Sequence, residues 1–527
     1  MTTQRFENGV VTSPHFLASE AGRETLQLGG NAVEAAVAVA ATLAVVYPHM
    51  TGLGGDSFWL VRTPDGELFA IDACGAAGEK VNRDLYAGSG MTAIPFRGPL
   101  AANTIAGTIS GWDAVLAASD SKLPLETLFA DAIKHADLGV EVTRSGAAVA
   151  ASKDAELAEN AGYASVFRPE GRPLEAGDLL RQPALAQTLE RLASNGLQDF
   201  YTGDIAADLT ADLAAAGSPL SAADLAAHAA FKTKPLSAKA FGAELYNFPP
   251  PTQGLSSLLI LALYERLGIE TGNSFHHVHG LVEATKQAFS LGRKIELGDP
   301  GMMKRAAQDV LDDATLLETL AADVDMASAK PWPEPTAPGD TTWFGAMDKD
   351  GWAVSAIQST YFEFGSGVTL PQTGITWQNR GASFVLSESG WNALRPGRKP
   401  FHTLNPALAL LKDGRVMAYG TMGGEGQPQT QAAIFTRYAK YGMDLQAAIS
   451  APRWLLGRTW GETSTSLKLE SRFEPALVQA LRDAGHEIEL LSDYSETMGH
   501  AGALVRHADG LFQGASDPRS DGAASGW

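Results

Sequence analysis

The sequence predicts a layered α+β fold, and three observations carry that prediction. Helical patterns dense in Ala and Leu fill the stretch from about 110 to 230, and short alternating strand runs dominate after Thr341. Between these regions, the span from Thr319 to Gly339 is rich in Ala, Pro and Asp and reads as an exposed linker. Strand-rich and helix-rich stretches that segregate along a chain pack as separate layers. At 527 residues the chain exceeds the length at which a single hydrophobic core stops growing, so it forms two domains or one large layered unit. Its 45% hydrophobic and 19% charged residues are those of a globular chain.

The elements follow in order. Gly29-Gly30-Asn31-Ala32-Val33-Glu34 opens an Ala/Val helix, with Asn31 placed to cap it and Pro48 just past its end. The apolar run Ala35 to Val46 is too short to span a bilayer and reads as a buried helix. Thr51-Gly52-Leu53-Gly54-Gly55-Asp56 then leads into the strand Ser57 to Val61. No Gly-Lys-Ser/Thr follows, and the loop precedes a strand instead of a helix, which argues against a phosphate cradle. Pro249-Pro250-Pro251 makes a rigid turn before the apolar helix Leu255 to Leu267. After Thr341, the runs Thr342 to Met347 and Trp352 to Ser359 predict a hairpin closed by Lys349, Asp350 and Gly351, with Gly351 left-handed. That closure pairs Asp348 with Trp352 and brings Thr341 opposite Ser359, on the same face.

Composition narrows the function classes. A formal charge of −20 disfavours nucleic acid or anionic membrane as a partner. The single cysteine, Cys74, excludes an intrachain disulfide. The residues Met1 to Glu7 lack the apolar core of a signal peptide, so a cytoplasmic protein is expected.

Several clusters could carry chemistry. His276-His277-Val278-His279 with Glu283 has metal-ligand spacing on a helix, but no second cluster is evident, so solvent-facing histidines and no metal are expected. No Gly-x-Ser-x-Gly elbow occurs, and Cys74 in its apolar strand context reads as core filler. Thr341 is the strongest candidate. Cleavage before it would leave a nucleophilic hydroxyl and a free α-amine, of pKa about 7.7–8.0, on one residue. Ser359 would place a second hydroxyl beside it. Met422-Gly423-Gly424-Glu425-Gly426 follows the strand Val416 to Tyr419, and its paired glycines allow the close backbone approach an oxyanion hole requires.

At these residues the chain resembles the γ-glutamyltranspeptidase family of N-terminal nucleophile hydrolases. Other shared motifs are Gly52-Leu53-Gly54-Gly55, Pro249-Pro250-Pro251, Leu297-Gly298-Asp299-Pro300, Phe364-Gly365-Ser366-Gly367 and the closing Gly514-Ala515-Ser516-Asp517-Pro518-Arg519-Ser520. The resemblance implies an αββα four-layer sandwich made as a precursor that cleaves itself between Asp340 and Thr341. The products would be a large subunit, 1–340, and a small subunit, 341–527, together one layered domain. Thr341 would be the processing and catalytic nucleophile, supported by Ser359, with Gly423 and Gly424 as the oxyanion-hole glycines. No cofactor is expected, and a homodimer of processed heterodimers is left open.

The substrate-site residues depart from the transpeptidases. Cys74 stands where they have the arginine that grips the glutamyl α-carboxylate, and Tyr361 where they have an asparagine. Arg380 and Ser383 replace the Gln and Asp of the head-group site, and His402-Thr403 replaces a serine pair. Loss of the ammonium partner and gain of a cation fit a small acid without an amine, held by Arg380. The departures, including Gln378-Asn379-Arg380-Gly381, are similar to those of the oxamate amidohydrolase branch. The expected reaction is hydrolysis of a small carboxylate-bearing amide such as oxamate to oxalate and ammonia. Hydrolysis or transfer of a γ-glutamyl group, and a cephalosporin-acylase-like amidase, are the alternatives within the family. An unprocessed binding protein is the alternative outside catalysis.

Overall fold

A computed structural model describes residues 3–332, 341–457 and 464–527. Two seven-stranded antiparallel sheets form its centre. The first runs in the order Gln4–Phe6, Phe512–Ser516, Ala501–Arg506, Val416–Thr421, Ala407–Leu410, Ala243–Asn247, Leu236–Ala240. The second runs Ala523–Gly526, Gly9–Ser13, Thr342–Asp348, Ala353–Ser359, Asp56–Arg62, Leu68–Ala73, Phe231–Thr233. Strands from before and after residue 341 are interleaved in each sheet.

Three apolar layers make this an αββα sandwich. One, holding Val10, Phe58, Leu60, Trp343, Met347, Ile357, Leu408, Ala418 and Leu504, lies between the sheets. A second joins the outer face of the second sheet to helices that include Ala32–Val46 and Pro183–Asn195. The third joins the outer face of the first sheet to Gly254–Arg266, Phe275–Lys294 and Gly426–Phe435.

Local sequence explains several of these elements. Asn31 caps the helix Ala32–Val46, its Oδ1 accepting from the N–H groups of Val33 and Glu34, while Glu34 accepts from the Asn31 N–H. Every residue of that helix is buried, as its largely apolar run requires, and the buried Glu34 carboxylate accepts from Asn31, Ser121, Lys122 and Leu123. The hairpin register also follows the prediction: Thr342 pairs with Gln358, and the pairing continues without a bulge to Met347 with Ala353. The Asp348 N–H donates to the Trp352 carbonyl at 3.2 Å, and Gly351 has φ +110°. The alternation in these strands separates two apolar destinations. Trp343 and Met347 face the opposite sheet, while Phe344 and Ala346 face the helices.

Three expectations need correction. Helix and strand do not segregate cleanly, because the region before 341 contributes strands to both sheets and the region after it contributes the helices Gly426–Phe435, Leu445–Ser450 and Pro475–Asp483. The linker expected from Thr319 begins later, since Ala314–Ala322 is a helix with Leu317 and Ala321 buried. Of the three clustered histidines only His276 faces solvent; His277 and His279 are fully buried. His277 accepts from the Asn273 N–H and bonds Thr436 Oγ1 at 3.0 Å. His279 meets His486 at 2.8 Å, and Glu283 meets the Lys286 ammonium at 2.6 Å. His486 completes a three-residue group with His279 and Glu283 that is invisible in the sequence because it comes from a distant turn. Each of these contacts satisfies a buried polar atom, and the ammonium beside Glu283 opposes a cation there.

No helix among the described residues is long and apolar enough to cross a membrane.

Candidate active site

Thr341 lies immediately before the strand Thr342–Asp348 and is fully buried. Its Oγ1 donates to the Gln358 carbonyl at 3.5 Å. The hairpin register, continued by one residue, sets it level with Ser359, on the face turned to the other sheet. Ser359 ends its strand and its Oγ accepts from the Tyr361 N–H at 2.8 Å. Asp340, the residue expected before the scissile bond, lies outside the described residues.

Gly423 and Gly424 occupy the tight connection between the strand Val416–Thr421 and the helix Gly426–Phe435. Their φ values of +111° and +53° are conformations that a side chain disfavours. Among the described residues neither backbone N–H has an acceptor, whereas both carbonyls are used. Two adjacent free donors are what a developing oxyanion needs.

Arg380 starts a short 3₁₀ turn, Arg380–Ser383. The preceding Trp377-Gln378 lies along the glycine loop, with the Gln378 N–H donating to the Gly54 carbonyl at 3.0 Å. The guanidinium is only 2% exposed and its Cζ stands 3.8 Å from the centre of the Tyr361 ring. Nη2 donates to the Phe401 carbonyl, but Nε and Nη1 are buried with no partner among the described residues. Burial pulls its pKa down, and Tyr361, Asp56 and Cys74 pull the other way. Tyr361 takes φ +83°, a strained conformation for an aromatic residue, of the kind that gathers at functional sites.

His402 is fully buried, edge-on to Phe58, and burial with the nearby Arg380 and Lys399 charges holds it neutral. Among the described residues neither ring nitrogen has a hydrogen-bond partner. Thr403 is buried as well and contributes its backbone carbonyl to Gln253 Nε2 at 3.1 Å and to Asn405 Nδ2 at 2.7 Å. Cys74 sits in the apolar layer between the sheets, its thiol pushed well up by burial, which fits a packing role.

These residues form one connected region. Ser359 pairs in register with Asp56, and Asp56 Oδ2 lies 3.5 Å from His402 Nε2. The His402 carbonyl accepts from the Gln253 N–H at 3.0 Å. Gln253 Nε2 then reaches the Gly424 carbonyl at 2.7 Å. The hairpin end, the guanidinium, the imidazole and the glycine pair thus share one neighbourhood. Sequence reasoning missed Asp56 and Gln378. An acid closing a glycine loop, directly before an apolar strand, is the available signal for Asp56.

Comparison with known proteins bears on the family and the fold. The family model described as gamma-glutamyltranspeptidase matches residues 18–527. The chain is 52% identical to an oxamate amidohydrolase proenzyme of Klebsiella pneumoniae over 524 residues, covering 99% of this chain and 98% of that one. It is 42% identical to a glutathione hydrolase-like proenzyme of Bacillus subtilis, covering 98% of both. The crystal structure of a cephalosporin acylase from Bacillus halodurans superimposes with a TM-score of 0.91 at 30% identity, over 100% of this chain and 97% of that one. With its αββα sandwich and this match along nearly its whole length, the chain belongs to the γ-glutamyltranspeptidase family of N-terminal nucleophile hydrolases.

Proposed function

We propose that this amidohydrolase cleaves itself before Thr341 and hydrolyses a small carboxylate-bearing amide, with oxamate as the substrate. One observation carries the substrate assignment. Arg380 is a buried guanidinium with two nitrogens unpartnered among the described residues, in the same neighbourhood as Ser359 and the glycine pair. An unpaired buried cation is costly, and an anionic ligand offsets that cost. The 52% identity to an oxamate amidohydrolase proenzyme supports the same reading, and that relative's name as a proenzyme supports the processing step.

In the proposed reaction, cleavage between Asp340 and Thr341 frees the Thr341 α-amine. That amine takes the proton of its own hydroxyl as the oxygen attacks the amide carbonyl. The Gly423 and Gly424 N–H groups receive the oxyanion, and Ser359 supports the nucleophile. Arg380, stacked on Tyr361, holds the carboxylate, with His402 and Thr403 shaping the site beside it. Ammonia leaves, and water attacks the threonyl ester to release oxalate. The interleaving of strands from 1–340 and 341–527 in both sheets supports a processed enzyme whose two chains remain one layered unit.

Denaturing mass spectrometry of the purified protein checks processing: two chains divided at Thr341 are expected, and a persistent single chain would refute it. Ammonia release from oxamate, set against release of a γ-glutamyl chromophore, checks the substrate class.

A further inference from the structure

Resting on the carboxylate site proposed above, we propose that Asp56 is a specificity-determining residue. As a neutral carboxylic acid it donates a hydrogen bond from Oδ2 to the same substrate carboxylate that Arg380 holds. The enzyme therefore binds its anion together with a proton.

The geometry fixes which oxygen does this. Asp56 Oδ1 accepts three hydrogen bonds, from Gly75 N–H at 2.9 Å, Gly107 N–H at 3.2 Å and Gln378 Nε2 at 3.0 Å. The two glycines are needed for that approach: a Cβ at Gly75 would lie 1.7 Å from the Ile105 carbonyl oxygen, and one at Gly107 would lie 1.8 Å from that of Ala73. With Oδ1 filled by donors, the proton of the acid form belongs on Oδ2. Oδ2 is buried and has no hydrogen-bond partner among the described residues. His402 Nε2, unpartnered among the described residues, is 3.5 Å away, and the Arg380 guanidinium lies close enough for its charge to act on Asp56. Three buried side chains thus keep free polar atoms in one place, although buried polar groups are almost always satisfied.

The charges around Asp56 agree with this role. Burial raises its pKa to about 7, against the pull of its three donors and of Arg380. The other titratable groups that reach it are His402, held neutral, Cys74, held as a thiol, Tyr201, and Lys399, which is paired with Asp72 at 3.0 Å. A neutral acid beside Arg380 accommodates a second carboxylate; an ionised one repels it. No α-ammonium partner is required, which separates this site from one built for an amino acid.

The test uses oxalate as the probe and the processed enzyme, by titration calorimetry in buffers of different ionisation enthalpy. At pH 8 the wild type should take up close to one more proton per oxalate than Asp56→Asn. Asn keeps the Oδ1 acceptor and presents an N–H at the Oδ2 position, so this variant should bind oxalate at pH 8 about as tightly as the wild type does at pH 6. In the wild type alone, affinity should fall about tenfold per pH unit above 7. Equal proton uptake in the two proteins, a flat wild-type affinity, or no oxalate binding would overturn the proposal. Normal oxalate binding with no oxamate turnover would instead count against the proposed reaction alone.

Discussion

Two buried arginines in this molecule are wired in opposite ways. Arg519, in the closing motif, gives Nε and Nη2 to Glu470 at 2.7 and 2.5 Å, Nη1 to Asp517 at 3.1 Å, and the rest to the Ile449 and Ala451 carbonyls. Among the described residues Arg380 has one carbonyl partner, and its Nε and Nη1 have none. Their aspartates differ in the same sense. Burial pushes Asp517 upward, but Arg453, Arg519 and two backbone N–H groups outweigh it and leave its pKa lowered. Asp56, equally buried, has three hydrogen-bond donors on Oδ1 and the nearby Arg380, but burial outweighs them and its pKa rises to about 7. Arg519, answered at every nitrogen by carboxylates and carbonyls, ties the fold together; Arg380, with no carboxylate on its guanidinium, is where we propose that the ligand binds.

This contrast can be broken by substitution. The largest expected effect is at the paired site. Arg519→Met leaves Glu470 buried without its main partner and Asp517 with Arg453 alone, and should cost about 3–5 kcal/mol, read as a large drop in melting temperature. At the unpaired site the loss should fall on function. Arg380→Gln should lower kcat/KM for oxamate by about 10²-fold, from a lost charge-assisted contact, with melting temperature unchanged or raised. A variant that melts early but retains its kcat/KM would reverse the assignment.

The aspartates sharpen the comparison through pH. The folded pKa of Asp56 is raised, so its contribution to stability is present in acid and lost as pH rises through about 7. Asp56→Asn should therefore melt higher than the wild type at pH 8, with the gap closing towards pH 5. Asp517 is lowered, so its contribution is present above the ordinary carboxylate range and lost in acid. Asp517→Asn should be most destabilising near neutral pH and least so in acid. The smallest effect should lie away from both clusters. Gly351→Ala, at φ +110°, should cost about 1 kcal/mol through the hairpin turn, measured by thermal unfolding.

Much of the fold was legible because its determinants are close in sequence. The Asn31–Glu34 capping box needs only four neighbouring residues. The register from Thr342–Gln358 to Met347–Ala353 follows from a three-residue closure and a period of two. The buried histidines were misread because spacing along a helix does not say what covers it. His279 is buried against His486, which lies 207 positions away. Asp56 was missed for the same reason: the donors to its Oδ1 come from Gly75, Gly107 and Gln378, on three separate segments.

By itself the sequence determined the local geometry here: the hairpin that carries Thr341 level with Ser359, the glycine pair after its strand, and the caps of the helices. Short-range sterics and hydrogen bonding suffice for those. Only the tertiary structure decided which charges are answered. Arg519 and Arg380 are the same residue type, equally buried, and differ in whether a carboxylate from another strand arrives within hydrogen-bond distance. In a medium that desolvates every ion, that arrival separates a structural pair from the binding site proposed for Arg380.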